Sequence, residues 1–422
     1  MNTKEFVQDL NDRFFQGALS PQFQYKLLEL PINRPDVFSF VERMFDFISR
    51  SGMPAKDFSL LQADILGTLL ARILPGAWEG RIPPITKQGR HAAIDQYIKN
   101  NPWKSSDGKS MLDSGCGFPP FTTLETADYL SDWKIIGADP SLPAFLINDA
   151  EGNYATLDEN GSTVYFQPAI PSIENWNKLL SDSAATKNRF EHLLKELINH
   201  PGSETLPRLE QSPIKKYETE RLSFINGGIG QIDIASQDVI RCFNVLFYFD
   251  DKFLENALKW FNDNLKEGGI LLIGGNWAAS TESYYNLYKK IDSQLINKEF
   301  AFSIDCICPF GIVTGYTNHA DDRQKVELIK YISVIRKDNA FMNSFYAFHD
   351  AQRLKYKICP RDSNGYYGNV DPEMQPQILW SLAGTILTEL NDAGFNEIAV
   401  EVLKQSGMEA RVNEVGHIAV KP

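Results

Sequence analysis

The sequence predicts an α/β chain built on an open sheet. Three observations lead there. The stretch "DSGCGFPPF", Asp113–Phe121, is a glycine-rich turn joining a short apolar run to a helical one. From Ser110 onward, strand-like and amphipathic runs alternate, the pattern of a doubly wound sheet. Residues 1–104, by contrast, carry only the helical period.

The helical region comes first. "RPDVFSFVERMFDFISRSG" sets Val37, Phe40, Val41, Met44, Phe45 and Ile48 on a wide apolar face. "SLLQADILGTLLARILPG" repeats the pattern and stops at Pro75-Gly76, and "QGRHAAIDQYIKNN" makes a third helix ended by Pro102. Residues 1–104 are expected to form a cap or lid, and a surface for a homodimer. A second region, 105–422, then carries the sheet. "SMLDSG" reads as a strand, "FTTLETADYL" as a helix and "KIIGAD" as a strand, with a hairpin at "NYATLDENGSTVYFQ" around Asn160-Gly161. A polar, mostly helical stretch follows, giving an insertion over about 145–220. Alternation resumes with strand "RLSFIN", the long apolar strand "DVIRCFNVLFYF", helix "DKFLENALKWFNDNLKEGG" closed at Gly268-Gly269, and strand "ILLIGG". A second insertion spans about 278–372. Helix "ILWSLAGTILTELNDAG" and strands "EIAVEVL" and "HIAVKP" close the chain, the last two as a hairpin.

Composition narrows the function. The 422 residues carry 42 Lys+Arg against 54 Asp+Glu, a net charge of −12, which disfavours general nucleic-acid binding. No run reaches the ~18 apolar residues of a membrane span, and the start "MNTKEFVQDLNDRFF" has no signal-peptide pattern. Five cysteines suit a reducing compartment, so a cytoplasmic location is expected. Cys306 and Cys308, alternating in an expected strand, do not combine with His349 and Cys359 in a zinc-site spacing, and no metal is expected.

The turn itself indicates a ligand. Gly115 and Gly117 let the backbone turn tightly and approach a bound group. Asp139 ends the next strand, 22 residues beyond Gly117, where a carboxylate can accept hydrogen bonds from ribose hydroxyls. Pro119 and Pro120 start a helix well but supply no N–H for a phosphate. A nucleoside ligand without phosphates fits such a turn, and a nicotinamide dinucleotide does not.

With "LDSGCGFPPF", "IIGADPS", "INGGIGQID" and the run from "DVIRCFNVLFYF" to "ILLIGG" in this order, the chain resembles the class I S-adenosylmethionine-dependent methyltransferases. The resemblance covers most of residues 110–276 and 376–422, leaving out the insertions. It implies a Rossmann-like seven-stranded sheet, S-adenosylmethionine as cofactor, and transfer of its methyl group to an oxygen, nitrogen or sulfur of a small molecule. It places Asp113, Gly115, Cys116 and Gly117 beside the methionine part and ribose, with Phe118 packing on the cofactor. Asp139 would hold the ribose, with Pro140 and Ser141 flanking the adenine. Gly228 stands where the family has an acid, leaving the Ile229 N–H for the ring. Asn244 would face the methyl group. On the acceptor side, Tyr248, Trp277, Tyr284, Tyr285, Tyr316 and His319 are candidates, with Tyr248 and His319 as the catalytic pair; the tyrosines as a group otherwise read as core packing, and His319 is expected to begin a helix and to act as a base, or else to be a surface residue there. A non-catalytic cofactor-binding protein is the alternative, motivated by Gly228 and the altered turn.

Overall fold

A computed structural model gives the fold. It describes residues 2–30, 32, 35–73, 89–101, 108–170, 173–199, 205–276, 281–319 and 321–422. The expected helix stops at Pro75-Gly76 and Pro102 lie outside them. The chain divides into two compact units: Met1–Leu66, Gly89–Pro102 and Cys242–Pro422 form the first, and Gly67–Gln88 with Trp103–Arg241 the second.

Among the described residues before Lys109, the α-helices are α1 (Thr3–Phe15), α2 (Pro21–Leu28), α3 (Pro35–Arg50), α4 (Leu60–Ile73) and α5 (Ala92–Asn100), joined by turns. Sequence dictates the entries. Asn2 and Glu5 close a capping box on α1, and Ser20 caps α2, which has proline at its first position. The helices meet through Phe15, Phe23, Phe45 and Phe58, whose rings lie 4.9–6.4 Å apart, mostly edge to face.

In the second unit, β1 (Lys109–Ser114), α6 (Phe121–Tyr129) and β2 (Trp133–Asp139) follow the sequence reading. Next come β3 (Phe145–Asn148), β4 (Tyr154–Leu157), β5 (Thr163–Gln167), α7 (Ile173–Leu180), α8 (Ser183–Leu197) and β6 (Arg208–Gln211). They make an antiparallel sheet ordered β5-β4-β3-β6. Phe166 and Phe190 anchor its own apolar core. The insertion is thus a folded layer, and β6, a short polar strand paired to β3, has no sequence signal. β7 (Leu222–Asn226) then pairs parallel to β2, which pairs parallel to β1. β8 (Gln237–Phe243) joins β1 on the other side and carries the chain out of this unit.

The first unit resumes with α9 (Asp251–Asp263), β9 (Leu265–Asn276), β10 (Ser283–Ile291), β11 (Gln294–Phe302), α10 (Arg323–Arg336) and α11 (Asn339–Tyr356). It closes with α12 (Pro376–Asp392), α13 (Phe395–Gln405), β12 (Ala410–Val412) and β13 (Ile418–Val420). The strands here run antiparallel in the order β12-β13-β11-β10-β9. Asp292 and Ser293, both at positive φ, turn β10 into β11.

Several expectations need correction. The strands are four in the second unit's main sheet and five in the first, not seven. "EIAVEVL" is helical, within α13, because Ala399, Val400 and Leu403 are buried together against the first unit's core; packing overrides the β-branched composition. The closing hairpin is therefore β12–β13, with a first strand the sequence reading did not contain. β8 stops at Phe243 because Asn244 turns left-handed, at φ 60°. α9 ends at Asp263, and the expected closing glycine, Gly268, lies inside β9. Cys306 lies in a 3-10 turn (Ile304–Ile307), and Cys308 follows it, rather than alternating in a strand.

Candidate functional site

In the second unit the glycine turn and Asp139 come together. Gly115 and Gly117 sit at φ 85° and 66°, conformations that glycine adopts without a Cβ penalty. The N–H groups of Gly115 and Cys116 donate to the Ala138 carbonyl at 2.7 and 3.2 Å, strapping the turn onto the end of β2. The Gly117 N–H then donates to Asp139 Oδ2 at 3.0 Å. Ser141 donates to Asp139 Oδ1 twice, from its N–H at 2.8 Å and its hydroxyl at 2.5 Å. Asp139 is buried, and desolvation raises its pKa against these three hydrogen bonds. A carboxylate has about four lone-pair sites, so the free acceptor capacity lies mainly on Oδ2. Gly227 donates to the Asp139 carbonyl, bringing the end of β7 alongside. A Cβ built on Gly228 would lie 3.9 Å from Pro140 Cγ, so the position expected to flank the adenine and the one standing at the family's acid are neighbours. Ile229 follows at the same turn, half-buried.

Other turn residues face inward. Cys116 and Phe118 pack with Leu142 in a small apolar cluster, and burial pushes the Cys116 thiol well up. Asp113 is locked in the interior: Arg241 Nε and Nη2 donate to its two oxygens at 2.9 and 2.7 Å, and the Thr123 hydroxyl adds a third bond at 2.6 Å. Arg241 Nη1 also donates to Thr126 Oγ1. Arg241 escaped the sequence reading. The signal was a lone charged residue inside the apolar run "DVIRCF". Pro119 and Pro120 precede α6, whose start carries no side-chain cap.

In the first unit, Asn244 is held by Asn276. Its Nδ2 donates to Asn276 Oδ1 at 2.8 Å, and the Asn276 N–H donates back to Asn244 Oδ1 at 3.0 Å. Asn276 Nδ2 in turn donates to the Arg90 carbonyl. Tyr248 ends a 3-10 turn (Leu246–Tyr248) and accepts from the Tyr316 hydroxyl at 3.3 Å. Phe40 and Phe247 flank Tyr316, with ring centroids at 5.6 and 5.2 Å. Burial raises the Tyr316 phenol well up.

His319 precedes α10 rather than beginning it; Asp322 is the cap. Its Nε2 is buried without a hydrogen-bond partner among the described residues. Tyr284 and Tyr285 are core residues of β10, and Trp277 lies outside the described residues. Arg90 and Arg43 were not singled out in the sequence. Desolvation lowers the Arg90 pKa to about 10, and the nearby Tyr248 phenol counters it. Among the described residues, no three His, Cys, Asp or Glu side chains are arranged to hold a metal, and no helix is long and apolar enough to cross a membrane.

No family model matches the chain, and no curated protein does. Among solved structures it is similar to the N-methyltransferase NodS from Bradyrhizobium japonicum, at 12% identity over 47% of this chain and 74% of that one, with a TM-score of 0.22. It is similar to coclaurine N-methyltransferase at 12% identity, over 64% and 57% of the two chains, TM-score 0.23. The sugar N-methyltransferase KedS8 from a Streptoalloteichus species gives 12%, 51% and 64%, TM-score 0.22. The chain spans less than two thirds of the last two. Likenesses this slight carry no argument about activity, which rests on the residues themselves.

Proposed function

We propose that the chain is an S-adenosylmethionine-dependent methyltransferase acting on a small-molecule acceptor. The observation that carries the reading is the joining of the Gly115–Gly117 turn to Asp139 at the ends of two parallel neighbours, β1 and β2. That arrangement supplies a close backbone approach and a buried carboxylate with acceptor capacity left on Oδ2. Two prolines stand where a phosphate would need N–H groups. A ligand with a ribose and no phosphate fits these residues. Asp139 would hold the ribose, Pro140 and Ser141 would flank the adenine, and the Ile229 N–H would bond its edge. Asp113 would act indirectly, fixing the turn through Arg241.

The cofactor supplies a sulfonium methyl group, and the protein need only orient the acceptor and keep water out. Asn244, fixed by Asn276, would border the methyl-transfer region. His319, with an unpartnered buried Nε2, would be the base for a hydroxyl or ammonium acceptor. Residues 1–104 would form the cap, and a homodimer surface if one is used. The cytoplasm is the expected compartment. A second reading, a chain that binds the cofactor without transferring its methyl, draws on Gly228, which offers the adenine no side chain.

Separate calorimetric titrations with S-adenosylmethionine, S-adenosylhomocysteine and NAD test the reading. Binding of the adenosyl ligands is expected. Binding of NAD alone would overturn it, and adenosyl binding without methyl transfer across a metabolite extract would favour the second reading.

A further inference from the structure

We propose that the first unit holds a binding site for a small aromatic carboxylate, gripped by Arg43 and Arg90 against the Tyr248–Tyr316 pair. The inference rests on the methyltransferase reading for its meaning, since it names the class of acceptor, but its geometry stands apart from the cofactor residues.

Two arginines have no carboxylate partner among the described residues: neither guanidinium takes part in an ion pair. Arg90 Nε is buried with no hydrogen-bond partner among the described residues. Among the described residues, the Arg43 guanidinium makes one hydrogen bond, Nε donating to the Thr317 carbonyl at 3.0 Å. In a chain with 54 acids and 42 bases, carboxylates are plentiful, so leaving two part-buried guanidinium groups without one is a specific arrangement. Desolvating an unmatched cation is costly, and burial depresses both side chains' pKa values. Arg90 remains a cation at neutral pH.

The two arginines bracket one feature. Arg43 is on the Tyr316 side: its guanidinium carbon lies 5.8 Å from the centroid of Phe40, which flanks Tyr316, and its Nε holds the carbonyl of Thr317, the next residue along. Arg90 is on the Tyr248 side, within electrostatic reach of that phenol. The two hydroxyls are hydrogen-bonded to each other. Phe40 and Phe247 complete an aromatic wall around Tyr316. Aromatic faces backed by a few fixed polar groups are what a small planar ligand needs. Guanidinium forks match a carboxylate in two-pronged geometry. Position supports the assignment: Asn276, partner of Asn244, also holds the Arg90 backbone through its carbonyl. The cationic side chain is thereby tied to the residues that would border the methyl group.

Calorimetry on the full chain tests this, with benzoate and its neutral analogue benzamide as probes, each with and without S-adenosylhomocysteine. Benzoate should bind at least tenfold more tightly than benzamide. Arg90→Gln should weaken benzoate at least tenfold and leave benzamide alone, and Arg90→Lys should fall between. Should Arg90→Gln not fold, Arg43→Gln reads the same contrast. Equal affinities for the two probes, no benzoate binding, or wild-type benzoate affinity in Arg90→Gln would each overturn the proposal. Titration of S-adenosylhomocysteine alone separates the two ideas. If it binds and benzoate does not, only this inference fails. If benzoate binds selectively and S-adenosylhomocysteine does not, the anion site stands and the methyltransferase reading falls.

Discussion

Arg241 in the second unit and Arg90 in the first show how differently the two regions treat a cation away from water. Arg241 is fully buried, and its charge is answered by two oxygens of Asp113 and a threonine hydroxyl. Arg90 has a buried nitrogen with no acceptor. The second unit answers this buried charge with its own residues, Asp113 and Thr126. The first unit leaves guanidinium and imidazole groups unmatched, which costs stability and is intelligible where a ligand supplies the missing partner.

The largest effect expected from breaking this contrast is at Asp113. Asp113→Ala leaves Arg241 buried and uncompensated, and should cost about 3–5 kcal/mol in urea unfolding. Asp113→Leu combined with Arg241→Met should recover most of it. A loss under about 1 kcal/mol in the single variant would mean that the pair is not the closed interior contact described.

Acid unfolding separates the units by sign. His417 of the first unit is buried, with Nδ1 unpartnered, and burial lowers its pKa from 6.5 to about 4. The unfolded chain therefore binds this proton first. The stability linked to His417 is complete above pH 6.5 and is lost as the pH falls through 4, a difference on the order of 3 kcal/mol. Asp139 of the second unit is shifted upward from 3.8 by burial. Its contribution is present below 3.8 and is lost as the pH rises through its folded value. In His417→Phe, the slope of unfolding free energy against pH between 6.5 and 4 should fall by up to about 1.4 kcal/mol per unit. An unchanged slope would place the histidine in water.

Ligand binding probes the second unit's completed turn. Asp139→Ala should weaken S-adenosylhomocysteine by about 100-fold in calorimetry, the size of one or two charge-assisted hydrogen bonds. Wild-type affinity would show that the ribose is held elsewhere. The smallest effect is expected at the tyrosine pair. Tyr248→Phe removes one 3.3 Å hydroxyl contact and should change stability by less than about 1 kcal/mol, while altering turnover if Tyr248 meets the acceptor.

The sequence made the second unit's parallel core legible because its elements are short and consecutive. β1, α6 and β2 fall where apolar runs and the double proline place them. The ends of elements were less legible. Asn244 breaks the run "DVIRCFNVLFYF" by turning left-handed against the Gly274 carbonyl, a choice made by a partner thirty residues away. "EIAVEVL" has strand-like composition, yet folds as helix because one face packs on the core. β6 exists only because β3 offers an edge to pair with.

The local chemistry of the turn was fixed by sequence alone. Glycine adopts φ 85° and 66° without a Cβ penalty, proline removes N–H groups whatever surrounds it, and a carboxylate 22 residues on can reach the turn because adjacent parallel strands end together. Tertiary structure decided the charges. It turned Asp113 inward to Arg241, across 128 residues of chain. It also brought Arg43, Phe40, Phe247, Tyr248 and Tyr316, from separate segments, around one aromatic wall. Periodicity and local propensity report on neighbours along the chain. Whether a buried charge has a partner depends on groups that only folding brings within a few ångströms.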